Sequence, residues 1–170
     1  MSSLPTLGRR ALHTLARAVR QAAQQSGERL HSVVSVSIGS APGGVYVAST
    51  YFCAEIDNDH PGLIDREWKV DGDLVTLLTP ENAARCAAFL DQDPVGPSMP
   101  PSHLELCLSG KIPALRGSGV VVDSVMWNAI SKVFKFEGEE ILLWRNHAGD
   151  ADLGMLVTAP WMTAFVMGRR

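Results

Sequence analysis

The sequence predicts an α+β fold in which units of one helix plus antiparallel strands repeat, the helices lying on one face of a curved antiparallel sheet. Three observations carry that expectation. Residues 7–25 have the 3.6-residue period of an amphipathic helix, and most of the remaining chain alternates with the two-residue period of strands. A strand running straight into a helix occurs twice, in LVTLLTPENAARCAAFL and in GVVVDSVMWNAISKVFKF, with Asn82-Ala83 and Asn128-Ala129 in comparable places. At 170 residues, 46% of them hydrophobic and 19% charged, the chain can bury a sizeable core.

In the first helix Leu12, Leu15, Val19, Ala22 and Ala23 fall on one side and Arg9, Arg10, His13, Arg17, Arg20, Gln21 and Gln24 on the other. No acidic residue interrupts that basic face, although the chain as a whole has 18 Asp+Glu against 15 Lys+Arg. A solvated surface helix usually mixes signs, because i,i+4 pairs stabilise it. A single-sign face is suited to a polyanion.

Beyond Gly27, HSVVSVSIG reads as a strand, the turn SAPGG follows, and residues 45–56 form a second extended run that makes a hairpin with it. DNDHPG is a polar loop, and REWKV with DLVTLL, joined at Asp71-Gly72, is a second hairpin-like pair. Thr79 as N-cap and Pro80 at the first helical position start a helix over residues 80–91, with Ala83, Cys86, Ala87 and Leu90 as its apolar stripe. DPVGPSMPPS reads as a connection, and Pro113 makes KIPALRGSG edge-like or irregular. HLELCL is a strand between them. Asp123 or Ser124 caps a third helix, whose side with Asn128, Ser131, Lys132 and Lys135 again holds no acid. Strands EEILLWRN, GMLVTA and TAFVMGRR close the chain. The expected organisation is a subdomain over residues 1–92, a Pro/Gly-rich connection with one strand over 93–118, and a second partial repeat over 119–170.

Several functions are excluded or left without support. No apolar run approaches the roughly 18 residues of a membrane-spanning helix, and MSSLPTLGRR has no secretory h-region. Cys53, Cys86 and Cys107 lack CxxC spacing, which suits a reducing cytoplasm and thiols that act as small core hydrophobes. IGSAPGG lacks both GxGxxG and a Walker lysine, and GxSxG is absent. Asp57, Asp59 and His60 could join a metal site but share one polar loop without a partner at helical spacing, while His13, His31, His103 and His147 show no mutual pattern. No catalytic residue, metal ligand or cofactor is assigned.

ALHTLARAVRQAA with HSVVSVSIG and GVYVASTYFCAEI, the unit VTLLTPENAARCAAFL, and the closing ILLWRNHAGDADLGMLVTAPWMTAFVMGRR together resemble the bacterial DNA polymerase III sliding clamp, the β subunit. The chain is shorter than a clamp protomer, and Gly168 stands where that family usually has proline. The resemblance implies helices lining a central hole that face duplex DNA. Arg9, Arg10, Arg17 and Arg20 of the first helix, Arg85 of the second, and Lys132 and Lys135 of the third would contact phosphates without reading sequence. It implies Val166 and Met167 beside a pocket for a polymerase or repair-protein peptide. A ring of about a dozen helices, with three per chain, would take about four chains. The expectation is therefore a non-enzymatic, cytoplasmic, homo-oligomeric processivity factor. Its alternatives are an interaction or regulatory module that does not bind DNA, and a small metal-dependent hydrolase.

Overall fold

The computed structural model describes residues 9–25, 36–57, 75–91, 95–117, 119–134, 140–146 and 154–168. Helix α1 (Arg9–Gln25) buries Leu15, Ala16, Val19 and Ala22 and exposes Arg17, Arg20, Gln21 and Gln24, as its period requires. An antiparallel meander follows, formed by β1 (Val36–Ala41), β2 (Gly44–Ala48) and β3 (Phe52–Asp57). The run expected to be one strand is thus two, and the cause is local. Ser49 Oγ accepts hydrogen bonds from the N–H groups of Tyr51 and Phe52 at 3.1 and 3.3 Å, closing a turn where alternation alone would continue the strand.

Strand β4 (Val75–Leu77) pairs in parallel with β1 at the sheet edge, with the Ser37 and Thr76 hydroxyls 2.9 Å apart. The sheet is therefore not wholly antiparallel, and the REWKV partner expected for this strand lies outside the described residues. Helix α2 (Pro80–Leu90) starts as anticipated, with Thr79 Oγ1 accepting from Asn82 N–H at 3.3 Å and Pro80 opening the first turn. Its stripe differs slightly: Cys86 is buried, Ala83, Phe89 and Leu90 pack around it, and Ala87 is exposed.

Two proline-based expectations are corrected. The stretch read as a connection contains β5 (Val95–Met99), an edge strand paired with the later strand β9 (Leu142–Asn146) only at Val95–Arg145 and Met99–Leu143, which leaves Pro97 in a region of shifted register. After a 3₁₀ turn at Pro101–His103 come β6 (Glu105–Ser109), β7 (Ile112–Gly117) and β8 (Val120–Asp123), a separate antiparallel sheet with β7 in the middle. Pro113, opposite Leu108 of β6, is tolerated there because the β7–β8 ladder starts only at Ala114, so the missing N–H leaves no β8 carbonyl without its partner.

Asp123, not Ser124, caps α3 (Ser124–Phe134), its Oδ1 accepting from the N–H groups of Val125 and Met126 at 2.9 and 3.1 Å. With β9, strands β10 (Gly154–Ala159) and β11 (Met162–Met167) form a second meander. The large sheet has the order β4-β1-β2-β3-β11-β10-β9-β5. Hence α1-β1-β2-β3 and α3-β9-β10-β11 run in the same order and meet at β3–β11, where Ala54 opposes Ala164.

Alternation along these strands gives the sheet two apolar faces. One carries the cross-strand row Ile38, Val47, Ala54, Ala164, Val157 and Leu143; the other carries Ala48, Cys53, Phe165, Leu156 and Trp144. Helices α1 and α3 lie side by side on the first face, where Phe52 meets Phe134 edge-on at 6.3 Å and β7 and β8 complete the main core through Leu115, Val120 and Val122. The expectation that all helices share one face is corrected, because α2 packs on the opposite face against β2, β3 and β11. A repeat unit beginning at Pro80 is likewise not formed: the strand after α2 is β5, at the far edge beside β9.

Candidate functional site

Two features of the fold gather chemistry: the outer surface of the α1–α3 layer and a cavity beneath α2. In α1 the alanines at 16, 18, 22 and 23 are buried, and side chains this small let α3 approach closely. Fixing the apolar stripe inward turns Arg17 and Arg20 outward, and in α3 the burial of Met126, Trp127, Ile130, Val133 and Phe134 leaves Asn128 and Lys132 exposed. The two helices hold five of the 15 Lys+Arg and none of the 18 Asp+Glu, so ten bases face 18 acids over the rest of the chain. The two helices therefore carry a local excess of positive charge on a protein that is acidic overall.

The structure does not bring every expected phosphate contact to that layer. Arg17, Arg20 and Lys132 lie in it and are exposed. Arg9 and Arg10 open α1, but their side chains, like residue Lys135, lie outside the described part of the structure. Arg85 is corrected: it sits on α2, across the sheet, and cannot share a surface with Arg17 and Lys132.

The cavity, about 490 Å³, opens between α2 and the second sheet face. Thr50 and Tyr51 of the β2–β3 turn border it on one side, and Asn82 and Arg85 of α2 on another. Phe89 stacks on Phe165 with ring centroids 5.0 Å apart, holding α2 against β11. Of the two residues assigned to partner binding, Met167 lines this cavity and is 38% exposed, whereas Val166 is 1% exposed and points into the opposite core. Strand alternation places successive residues on opposite faces, so only one of the pair can reach a pocket on either side.

Cys53 of β3 and Cys86 of α2 both line the cavity, and their side chains hydrogen-bond to each other. That bond, followed by burial, pushes the Cys53 thiol above its ordinary range; the same bond, with Cys53 as donor, draws Cys86 below it. Burial, and then Glu55, raises the neighbouring Tyr46. Sequence reasoning treated these thiols as separate core residues. The register that sets Cys53 beside Phe165, and the helix packing that sets Cys86 over both, are long-range and leave no local signal.

Asp57 ends β3 and is exposed, while Asp59 and His60 lie outside the described residues. Among the described residues no three His, Cys, Asp or Glu side chains are grouped to hold a metal ion, and no helix is long and apolar enough to cross a membrane. No protein-family model, curated protein or solved structure matches this chain.

Proposed function

We propose that this chain is a non-enzymatic, clamp-like protein that rests on duplex DNA through its α1–α3 layer and tethers a replication or repair partner. The observation that carries the reading is the acid-free surface of two adjacent helices, with Arg17, Arg20 and Lys132 exposed on a protein of net charge -3. Phosphate contacts of this kind position the protein without reading sequence, and they weaken as salt displaces the advantage of counterion release. The recurrence of one helix followed by a three-stranded meander, in α1-β1-β2-β3 and α3-β9-β10-β11, supports this reading. With α2 on the other face, each chain offers two helices to a ring lining, so a ring of about a dozen helices would take about six chains, not four. Light scattering at micromolar concentration tests that number, and a monomer would remove the ring from the proposal.

The DNA reading is tested by retention on circular and linear duplex at low salt. Wild type is expected to be retained, and the double variant Arg17→Glu, Lys132→Glu to keep its circular dichroism spectrum but lose retention. Absence of wild-type retention on either form would end this reading.

The cavity favours a second reading, an interaction module that needs no DNA. Its aromatic stack, exposed Met167 and polar rim of Thr50, Asn82 and Arg85 suit a short amphipathic peptide. A complex with a polymerase or repair protein that survives the charge reversal and is weakened by Met167→Ser would support it over the DNA reading.

A further inference from the structure

Cys53 and Cys86 are separated by 32 residues in the chain and by a change of layer, yet their side chains share one small buried cluster at the wall of the cavity beneath α2. Both are 5% exposed, so bulky reagents are excluded, while a cavity of about 490 Å³ admits a small solute. Arg85, adjacent to Cys86 in sequence, is exposed and also lines the cavity. Two thiols packed together at a cavity wall that a small oxidant can reach can react with each other, where a lone buried thiol is inert. We propose that Cys53 and Cys86 are a reversible dithiol switch, oxidised by hydroperoxide to an intramolecular disulfide that ties α2 to β3 across the cavity wall.

The chemistry balances with hydrogen peroxide as the oxidant. The Cys86 thiolate attacks one peroxide oxygen; an S–O bond forms, the O–O bond breaks, and the departing hydroxide takes up the proton Cys86 released, giving the first water and a sulfenic acid. Cys53, losing its proton, then attacks that sulfur; the S–S bond forms, the S–O bond breaks, and hydroxide with the proton from Cys53 gives the second water. The two sulfurs together lose two electrons, and one peroxide is reduced. Cys86 attacks first, its thiolate favoured by the neighbouring Cys53 side chain, and Cys53, packed in the same buried cluster at the cavity wall, stands as the resolving thiol. Cys107, on β6 in the other sheet, is an internal control.

The test treats the full chain with a small excess of hydrogen peroxide, removes it with catalase, alkylates in denaturant and measures intact mass and peptide map. The expected result is one alkylated cysteine, Cys107, in place of three, a linked Cys53–Cys86 peptide, and recovery of all three thiols with dithiothreitol. The oxidised form should melt higher than the reduced one by about 5 °C, since the cross-link closes a long loop in the unfolded chain. Cys53→Ser should strand the sulfenic acid, giving a dimedone adduct at Cys86, whereas Cys86→Ser should give none at Cys53. Three alkylatable thiols after peroxide, sulfinic acid at Cys86 with Cys53 still reduced, or a disulfide formed only between Cys107 residues of two chains would each overturn the proposal. The wild-type measurement stands alone if either variant fails to fold.

Discussion

Asp123 is 5% exposed and uses one carboxylate oxygen for two N–H groups at the start of α3, a position where the orphaned donors cannot turn to solvent. Asp123→Ala is expected to lower stability by about 1–2 kcal/mol in urea titration, and Asp123→Asn by less, because the amide oxygen can still accept. Gly154 is constrained in another way. A methyl group there would enter the ring of Phe165 and stand 2.6 Å from the carbonyl oxygen of Val166. The ring can be displaced only by breaking its stack with Phe89, and the carbonyl belongs to the β10–β11 ladder. Gly154→Ala should therefore cost about 2–3 kcal/mol. Gly110, at φ +64 with nothing within 4 Å of an added methyl, should lose only the roughly 1 kcal/mol of left-handed backbone strain on substitution by Ala. Thermal or urea unfolding of the two variants separates steric from conformational cost.

Among the elements, α1 and α3 each have a buried apolar face and an exposed polar one. Their inner sides are apolar and small enough for close packing, while the outer sides carry Arg17, Arg20 and Lys132, with no Asp or Glu within either helix. A surface of like charges forgoes the few tenths of a kcal/mol available from each i,i+4 ion pair. If those charges neutralise phosphates, the slope of log affinity against log salt should shallow by about 0.9 for each one removed. Measuring Arg17→Ala and Lys132→Ala singly and together checks this, with equal loss on unrelated duplex sequences. The prolines show how an element's neighbours decide what it tolerates: Pro97 survives in β5 at a sheet edge, and Pro113 in a central strand one residue outside the second ladder.

For the molecule as a whole, the seam between β3 and β11 joins the two helix-and-meander units into one sheet, and the main core draws on both. Neither unit alone could cover that sheet face, since removing one would bare the β3 edge and strip α1 of α3. A fragment of residues 1–92 is therefore expected to show no cooperative thermal transition by circular dichroism, and to regain one on mixing with residues 93–170. A sigmoidal melt for the isolated fragment would show that the β3–β11 seam is dispensable. The same layering separates the two candidate surfaces: reversing charge on α1 and α3 should leave the cavity and its thiols unchanged, because the sheet stands between them.

The sequence by itself determined the helix spans, most strands, the cap at Thr79, the choice of Asp123 or Ser124 for the cap of α3, and the basic face of α1, because period, capping chemistry and turn residues act over a few neighbouring positions. It did not determine which face α2 would take. Its stripe of Ala83, Cys86, Phe89 and Leu90 would fit either side of a sheet that is apolar on both, and only the cross-strand register that puts Cys53 beside Phe165 selects one. From that choice follow the separation of Arg85 from Arg17 and Lys132, the exclusion of Val166 from the cavity, and the meeting of Cys53 with Cys86. Each depends on contacts between segments distant in the chain, where a local pattern holds no information about its partner.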